Sequence, residues 1–463
     1  MIAHFNFKRF GNNEYLLTND FGDFLFLSAA DFEKLVNHTD ALSAEVKERL
    51  SSSRMIIEGS VHHFVDANTP YARDSKNYTF TATSLHIFVV TNQCNQRCVY
   101  CQASDGHALY HAMDERTAER AVDVALQSPS NQLSFEFQGG EPLLNFGVIK
   151  HIVQYTEQKN SEKDISFTLV SNLTLLTDEM VSFIKEHRIS IATSLDGNEV
   201  IHNANRPFAD GSGSFERVIQ GVRRLRDSGI SIGAIQTTTR ASLPYASEIV
   251  DTYCQLGFSS VFIRPLSPLG CAKKNWTIVG YSEEQFVRFY VDAFLEIIKR
   301  NRNGIRIQEN YSAILLSNIL HKYPANYMEL RSPCGAGIGQ LAYYVNGDVF
   351  TCDEGRMLYE MGTGMFRLGN VHENSLKDLI QSPVCRAVCL ASTTETLPSC
   401  CDCVYQPYCG VCPVVNYALY GDLIPKEANH YRCKINMGIL DFLFSVLHHG
   451  DKETKDLLRT WRL

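Results

Sequence analysis

Residues 85–102 read LHIFVVTNQCNQRCVYCQ, a β-rich run that ends on three cysteines, Cys94, Cys98 and Cys101, spaced CxxxCxxC. The apolar, β-branched stretch predicts a strand. The cysteines follow directly on its C-terminal end, where the chemistry of parallel-stranded barrels is normally found. Three thiolates this close can wrap one cubane, and a 4Fe-4S cluster held by three of them keeps one iron open for an outside ligand. Zinc is the competing reading, but it usually takes a fourth protein ligand, and His107 is the only Cys or His that follows closely.

Comparable runs recur downstream: LSFEFQ (133–138), ISFTLVS (165–171), ISIATSL (189–195), ISIGAIQTT (230–238) and SSVFIRPL (259–266). Helical patterns such as ERTAERAVDVAL and FERVIQGVRRLRD separate them. Strand-helix alternation implies a parallel sheet with right-handed crossovers. Six units fall short of the eight that close a barrel. The expected fold class is therefore α/β, a partial (β/α)6 TIM-type barrel over residues 81–300 with one side open to a large substrate. SEEQFVRFYVDAFLEIIKR (282–300) predicts a long amphipathic helix, and INMGILDFLFSVLHHGDKETKDLLRTW (435–461) a helical C-terminal stretch within a cysteine-rich unit over 301–463. Residues 1–80 read as a separate α+β unit. EYLLTND and DFLFLS are its strands around the turn Asp20–Asp23, helices follow over 29–36 and 42–51, and DANTPYARDSKN (66–77), without apolar periodicity, reads as a linker.

The 463 residues include 15 cysteines: none before 94, three from 94 to 101, and ten between 334 and 433. Disulfides are rare in reducing compartments whereas thiolates bind soft metals well, so metal is the leading explanation. The formal charge of −8 argues against a broad nucleic-acid surface. No apolar run approaches the ~20 residues that span a bilayer, and the start MIAHFNFKRFGNNEY lacks a signal-peptide core, so no membrane partner and a cytoplasmic location are expected.

With Tyr100 before its last cysteine, the first cluster fits CxxxCxΦC, Φ being aromatic, and here the chain resembles the radical SAM superfamily. The resemblance implies that the open iron chelates S-adenosylmethionine and that an electron from the cluster yields a 5'-deoxyadenosyl radical, with a flavodoxin or ferredoxin as electron donor. Further motifs follow the later strands. FQGGEP supplies Gly139, Gly140, Glu141 and Pro142, resembling the GGEP motif that holds the methionyl amino group; SNLT supplies Ser171 and Asn172; SLDG supplies Ser194 and Asp196, and HNANR supplies Arg206. By resemblance Ser194 and Arg206 hold the methionyl carboxylate with Asn172 nearby. Gly lets backbone approach a ligand closely, although GGEP or SLDG alone is also ordinary turn chemistry.

Cys334 and Cys352 fit C-x12-G-x4-C through Gly347; Cys400, Cys403, Cys409 and Cys412 fit CxxC-x5-CxxC; Cys433 stands 21 positions on. Paired CxxC knuckles taken alone also suit a zinc ribbon. Together the seven resemble the SPASM extension of peptide-modifying radical SAM enzymes, although its last pair is usually CxxxC. The resemblance implies two auxiliary iron-sulfur clusters, the first on Cys334, Cys352 and Cys412, the second on Cys400, Cys403, Cys409 and Cys433. A fourth ligand to the first is unassigned, the alternatives being an open iron or a recruited cysteine such as Cys385, Cys389 or Cys401; Cys254 and Cys271 read as buried small hydrophobes. GAGIGQ after Cys334 lacks GxGxxG spacing and is discounted as a dinucleotide loop. By the same resemblance Asp353 is the candidate catalytic base and Glu354 the second; the alternative for Asp353 is a structural ion pair with Arg356.

CDEGRML, LHIFVVT and YLLTNDFGDFLFLS together resemble the HxsB-type maturases of His-Xaa-Ser systems. This implies a ribosomally made precursor peptide as substrate, crosslinked or oxidised on its side chains. A second radical SAM maturase and a small accessory protein are implied partners. The N-terminal unit then looks like a winged-helix peptide-recognition element, whose edge strand can capture a leader peptide. Two alternatives remain: formylglycine formation on a sulfatase, and a metal-binding nucleic-acid regulator, against which ALSAEVKERL is not strongly basic.

Overall fold

The computed structural model describes residues 1–104, 111–320, 327–425 and 430–461, so His107 lies outside the described residues. Thirteen strands form two sheets among these residues. The first is antiparallel, in the order β1 (Asn6–Phe10), β2 (Glu14–Thr18), β3 (Phe24–Ser28). The second has ten strands: β4 (Leu85–Thr91), β5 (Gln132–Gly139), β6 (Asp164–Ser171), β7 (Ser190–Ser194), β8 (Ile232–Thr237), β9 (Ser260–Arg264), β10 (Gln308–Glu309), β11 (Gln340–Tyr343), β12 (Asp348–Phe350) and β13 (Arg367–Asn370).

The six expected barrel strands are present as β4 to β9, neighbours in sequence and parallel throughout. β10 adds to one edge, parallel to β9; β11 adds to the other, parallel to β4, and continues through the antiparallel β12 and β13. Both additions come from beyond residue 300, so one sheet runs through the barrel and the first part of the cysteine-rich unit. Alternation fixes which side chains face inward. Along β5, Leu133, Phe135 and Phe137 are buried against the surrounding helices while Ser134, Glu136 and Gln138 are half-buried on the other face. The same alternation leaves Thr168 and Val170, Ala192 and Ser194, Ile235 and Thr237, and Phe262 and Arg264 half-buried on β6 to β9, so the inner face mixes polar and apolar side chains.

In the N-terminal unit alternation splits the sheet in the same way. Leu17, Leu25 and Leu27 pack with Leu35, Val46 and Leu50 of the two following helices, Ala29–Asn37 and Ala44–Ser52. Phe24 and Phe26 instead meet Phe444 of the C-terminal helix Tyr431–His449, with ring centroids 5.2 and 6.4 Å apart. A third helix, Val61–Ser75, completes a three-strand, three-helix, winged-helix-like unit.

That helix corrects the linker reading of DANTPYARDSKN, most of which lies inside it, Pro70 included. Ser60 caps its start by accepting from the His63 amide, and the Asn68 and Thr69 side chains donate to the carbonyls of Phe64 and Val65. Its only buried residue is Asn68, so it carries no apolar stripe for periodicity to detect. The predicted long helix is found at Glu283–Arg302 with a Ser282/Gln285 capping box, and the C-terminal stretch is helical apart from a break at Gly450.

Candidate active site

The segment 92–101 carrying the first three cysteines is clamped from several strand ends. Gly140 and Glu141 donate their amides to the carbonyls of Thr91 and Gln93, both at 2.8 Å. A Cβ on Gly139 would lie 2.1 Å from the Thr91 carbonyl oxygen, and one on Gly140 2.2 Å from that of Gln93. The two glycines are therefore required by the approach of one backbone to another. Asn172, at the end of β6, donates to the Asn95 side chain at 2.9 Å. Arg97 and Val99 donate their amides to the carbonyls of Pro207 and Asn205, and Cys271, expected to be inert filling, gives its amide to the carbonyl of Cys101.

Glu141 is fully buried. Its carboxylate accepts from Leu143 N at 3.0 Å, Ser171 Oγ at 2.7 Å and Asn172 N at 2.8 Å, which ties the ends of β5 and β6 together behind the cysteine loop. Burial raises its pKa to about 7 despite these bonds. Pro142 starts the short turn that follows.

Asp196, which carries no assigned role within SLDG, is the centre of the neighbouring network. It is fully buried and accepts from Tyr100 Oη at 2.7 Å, Asn205 Nδ2 at 3.1 Å, Arg206 Nε at 3.2 Å and the Thr237 amide at 3.2 Å. The Arg206 guanidinium lies 5.2 Å from the centre of the Tyr100 ring and 3.8 Å from Cys98 Sγ. Tyr100 is thus positioned by Asp196, and Arg206 brings a positive charge to the cysteine loop. Ser194 sits at the end of β7, half-buried on the interior side.

Cys101 lies close enough to raise Cys94, and Cys94 and Cys101 close enough to raise Cys98, but burial is the larger effect, pushing Cys94 up to about 11 and Cys98 up to about 12. Two more groups assemble from the cysteine-rich unit. Cys334, Cys352 and Cys412 share one apolar cluster and act electrostatically on one another; Cys400, Cys403, Cys409 and Cys433 act electrostatically on one another in a second place. Burial raises Cys412 to about 11, and Cys400 and Cys409 to about 12. Thiols held neutral this firmly become thiolates only where metal charge compensates them. Among the described residues no three cysteine sulfurs come within 4.8 Å of one another, wider than the ligand shell of one tetrahedral zinc. The donor sets fit iron-sulfur clusters. Cys385 and Cys389 lie one turn apart on the helix Pro383–Ala391 and act on each other electrostatically, and Cys401 donates to the Pro398 carbonyl.

Carboxylates meet between the barrel interior and the helix that Cys352 caps, Asp353–Glu360. Asp353 Oδ1 accepts from Arg356 Nε at 3.1 Å, so the anticipated ion pair is formed, with Arg356 almost fully buried. Glu136 on β5 belongs to no sequence motif. Its pKa is raised by burial, with Asp353 and Glu354 adding to the effect; Glu354 is raised by burial and by Glu329. Glu329 itself is held between Arg264 Nη2 at 2.7 Å and Arg432 Nη1 at 3.2 Å. The one sequence signal for Glu136 is a charged residue on a strand whose other face is wholly apolar.

Residues 88–241 match the family model described as Radical SAM superfamily, and residues 334–404 that of SPASM, an iron-sulfur cluster-binding domain. An uncharacterized protein of Methanocaldococcus jannaschii is 34% identical over 198 residues, 43% of this chain and 67% of that one. The chain belongs to the radical SAM superfamily. Its cofactors are S-adenosylmethionine, the radical SAM 4Fe-4S cluster and auxiliary iron-sulfur clusters. Within the radical SAM/SPASM enzymes, a serine-type anaerobic sulfatase-maturating enzyme of Bacteroides thetaiotaomicron is 24% identical over 406 residues, 82% of this chain and 94% of that one. Two solved structures share the fold. "Native anSMEcpe with bound AdoMet" aligns at TM-score 0.69 and 19% identity over 82% of this chain and all of that one; Streptococcus suis SuiB bound to its precursor peptide SuiA aligns at 0.54 and 15% over 92% and 98%. The α/β partial-barrel reading is borne out. No helix among the described residues is long and apolar enough to cross a membrane.

Proposed function

We propose that this chain is a cytoplasmic maturase that modifies side chains of a ribosomally synthesised precursor peptide, in the manner of HxsB-type enzymes of His-Xaa-Ser systems. The observation that carries this reading is the assembly of three separate cysteine groups, the first at the strand ends of the barrel, with a winged-helix-like unit docked beside the second auxiliary group. When bound, the cluster on Cys94, Cys98 and Cys101 supplies the electron that converts S-adenosylmethionine into a hydrogen-abstracting radical.

The chain's own residues then divide the remaining work. Gly139, Gly140 and Pro142 set the path of the cysteine loop, and Glu141 and Asn172 hold it against the strand ends. Tyr100, Ser194 and Arg206 would hold the methionyl group; Arg206 is suited to a carboxylate because its charge lies at the loop and Asp196 fixes its orientation. Asp353, whose Oδ1 is engaged by Arg356, offers its other carboxylate oxygen as the proposed base for the proton released when the substrate is oxidised, with Glu354, made more basic by burial, next to it. The two auxiliary clusters sit on Cys334, Cys352 and Cys412 and on Cys400, Cys403, Cys409 and Cys433. The N-terminal sheet receives the peptide's leader, and a flavodoxin or ferredoxin, a second radical SAM maturase and a small accessory protein are the remaining partners.

Sulfatase maturation is the second reading, favoured by the similarity to the Bacteroides enzyme along 94% of its length. Incubating the reduced enzyme and S-adenosylmethionine with a His-Xaa-Ser precursor peptide and, separately, with a serine or cysteine sulfatase peptide separates the two. Loss of hydrogens from the precursor peptide by mass spectrometry is expected. An aldehyde on the sulfatase peptide alone would sink the first reading.

A further inference from the structure

Glu14, His448 and His449 form the one group of three possible metal ligands whose donor atoms all lie within 4.8 Å of one another among the described residues. Glu14 opens β2 in the N-terminal sheet, while the two histidines end the C-terminal helix Tyr431–His449. His448 Nε2 is 3.0 Å from both Glu14 carboxylate oxygens, and His449 Nε2 is 3.8 Å from Glu14 Oε2. Neighbouring N and O ligands of a tetrahedral zinc stand about 3.3 Å apart, given bonds of about 2.0–2.2 Å. Both nitrogens therefore lie close to ligand-to-ligand spacing from Glu14, His448 having to move out and His449 in, each by a few tenths of an ångström.

We infer that Glu14, His448 and His449 bind a zinc-class divalent transition ion that staples the N-terminal unit to the C-terminal helix. Two imidazoles and one carboxylate are a borderline donor set, which selects this class over calcium or magnesium. The two adjacent rings, 4.3 Å apart between centroids, converge on one carboxylate. His448 is held in place by packing, since its ring stacks on Phe26 of β3 at 3.9 Å between centroids. The end of a helix, with its outward carbonyls, also favours a cation. Water completes the fourth position, since the group is partly exposed and His449 is 58% accessible. In the absence of the ion the same residues form the His448–Glu14 pair.

The staple joins contacts that already connect this interface to the second auxiliary group. Asn6 Nδ2 donates to the carbonyls of Cys401 and Cys403 at 3.0 and 3.2 Å, and Lys8 pairs with Asp441 on the same helix that carries Cys433. The proposed ion lies outside all three cysteine groups, and its ligands contain no sulfur.

The test uses cluster-loaded protein, freed of loosely held metal on a chelating resin and titrated with zinc against a chromophoric chelator under anaerobic conditions. One equivalent is expected to bind with iron content unchanged, to raise the thermal midpoint, and to give a zinc-edge X-ray absorption spectrum with only nitrogen and oxygen neighbours. His449→Ala and Glu14→Gln should each weaken binding at least about tenfold. His449 is exposed, so its variant reports on the site even if the Glu14 variant folds poorly. Equal affinity in parent and His449→Ala, a sulfur shell around the zinc, or no retained zinc would each overturn the assignment.

Discussion

Replacing Gly140 by Ala tests whether the glycines of the GGEP segment serve the cysteine loop. The new Cβ would stand 2.2 Å from the Gln93 carbonyl oxygen, 2.5 Å from its carbon and 2.7 Å from the Asn92 oxygen. All three are backbone atoms of the segment running into Cys94, so no side-chain rotation relieves the clash. Opening the shortest contact to ordinary distance requires the loop to move by about 1 Å. A displacement of that size at a reacting centre costs on the order of 10²-fold in rate. Gly147 provides the control: it lies on the helix Phe146–Lys159, and a Cβ there meets nothing within 4 Å. Gly147→Ala should fold at least as well as the parent, with about 0.5–1 kcal/mol of added stability from the better helix former. The assay is anaerobic reconstitution followed by iron analysis and the rate of 5'-deoxyadenosine release. Gly140→Ala should lose the iron of the first cluster, or keep it and release nucleoside about a hundredfold more slowly. Parent-like iron and parent-like release would refute the reasoning, because they would mean the loop has slack the structure does not contain.

Asp196→Ala leaves the nearly buried Arg206 guanidinium without its carboxylate, at a cost of about 3–5 kcal/mol readable by urea denaturation. Glu141 gives a pH signature. Its folded pKa of about 7 exceeds the ordinary 4.5, so the folded protein holds a proton the unfolded chain releases. Stability should therefore fall by up to about 3 kcal/mol as pH rises from 4.5 to 7, and Glu141→Gln should flatten that slope in denaturation curves across the range. Asn6→Ala strips donors from the carbonyls of Cys401 and Cys403, and should speed chelator-driven iron loss from the second auxiliary group while sparing the first cluster's spectrum. Cys409→Ala should lower the iron content by about one cluster's worth, whereas Cys385→Ala should leave it unchanged.

The barrel was legible because its six strands announce themselves as apolar runs between helical patterns, and the cysteine groups because thiolate spacing carries its chemistry locally. What the sequence concealed was mostly a matter of long-range assembly. Asp196 looks like any turn aspartate in SLDG until Tyr100, the adjacent Asn205 and Arg206, and Thr237 converge on it from three parts of the chain. The carboxylate of Glu141 accepts from Ser171, Asn172 and Leu143, partners that the motif GGEP does not name and that only the meeting of the β5 and β6 ends brings together. The short strands β10 and β11 carry too few residues to show periodicity, and they join the barrel sheet only through β9 and β4. The helix Val61–Ser75 escaped because it buries a single residue and contains a proline.

The central claim, a radical SAM centre on Cys94, Cys98 and Cys101 with two further clusters, is tested most directly by iron content and 5'-deoxyadenosine release after anaerobic reconstitution, comparing the parent with the triple alanine variant of those cysteines. The account predicts about twelve irons falling to about eight, with nucleoside release abolished. Zinc in place of iron, with no nucleoside from either protein, would contradict it.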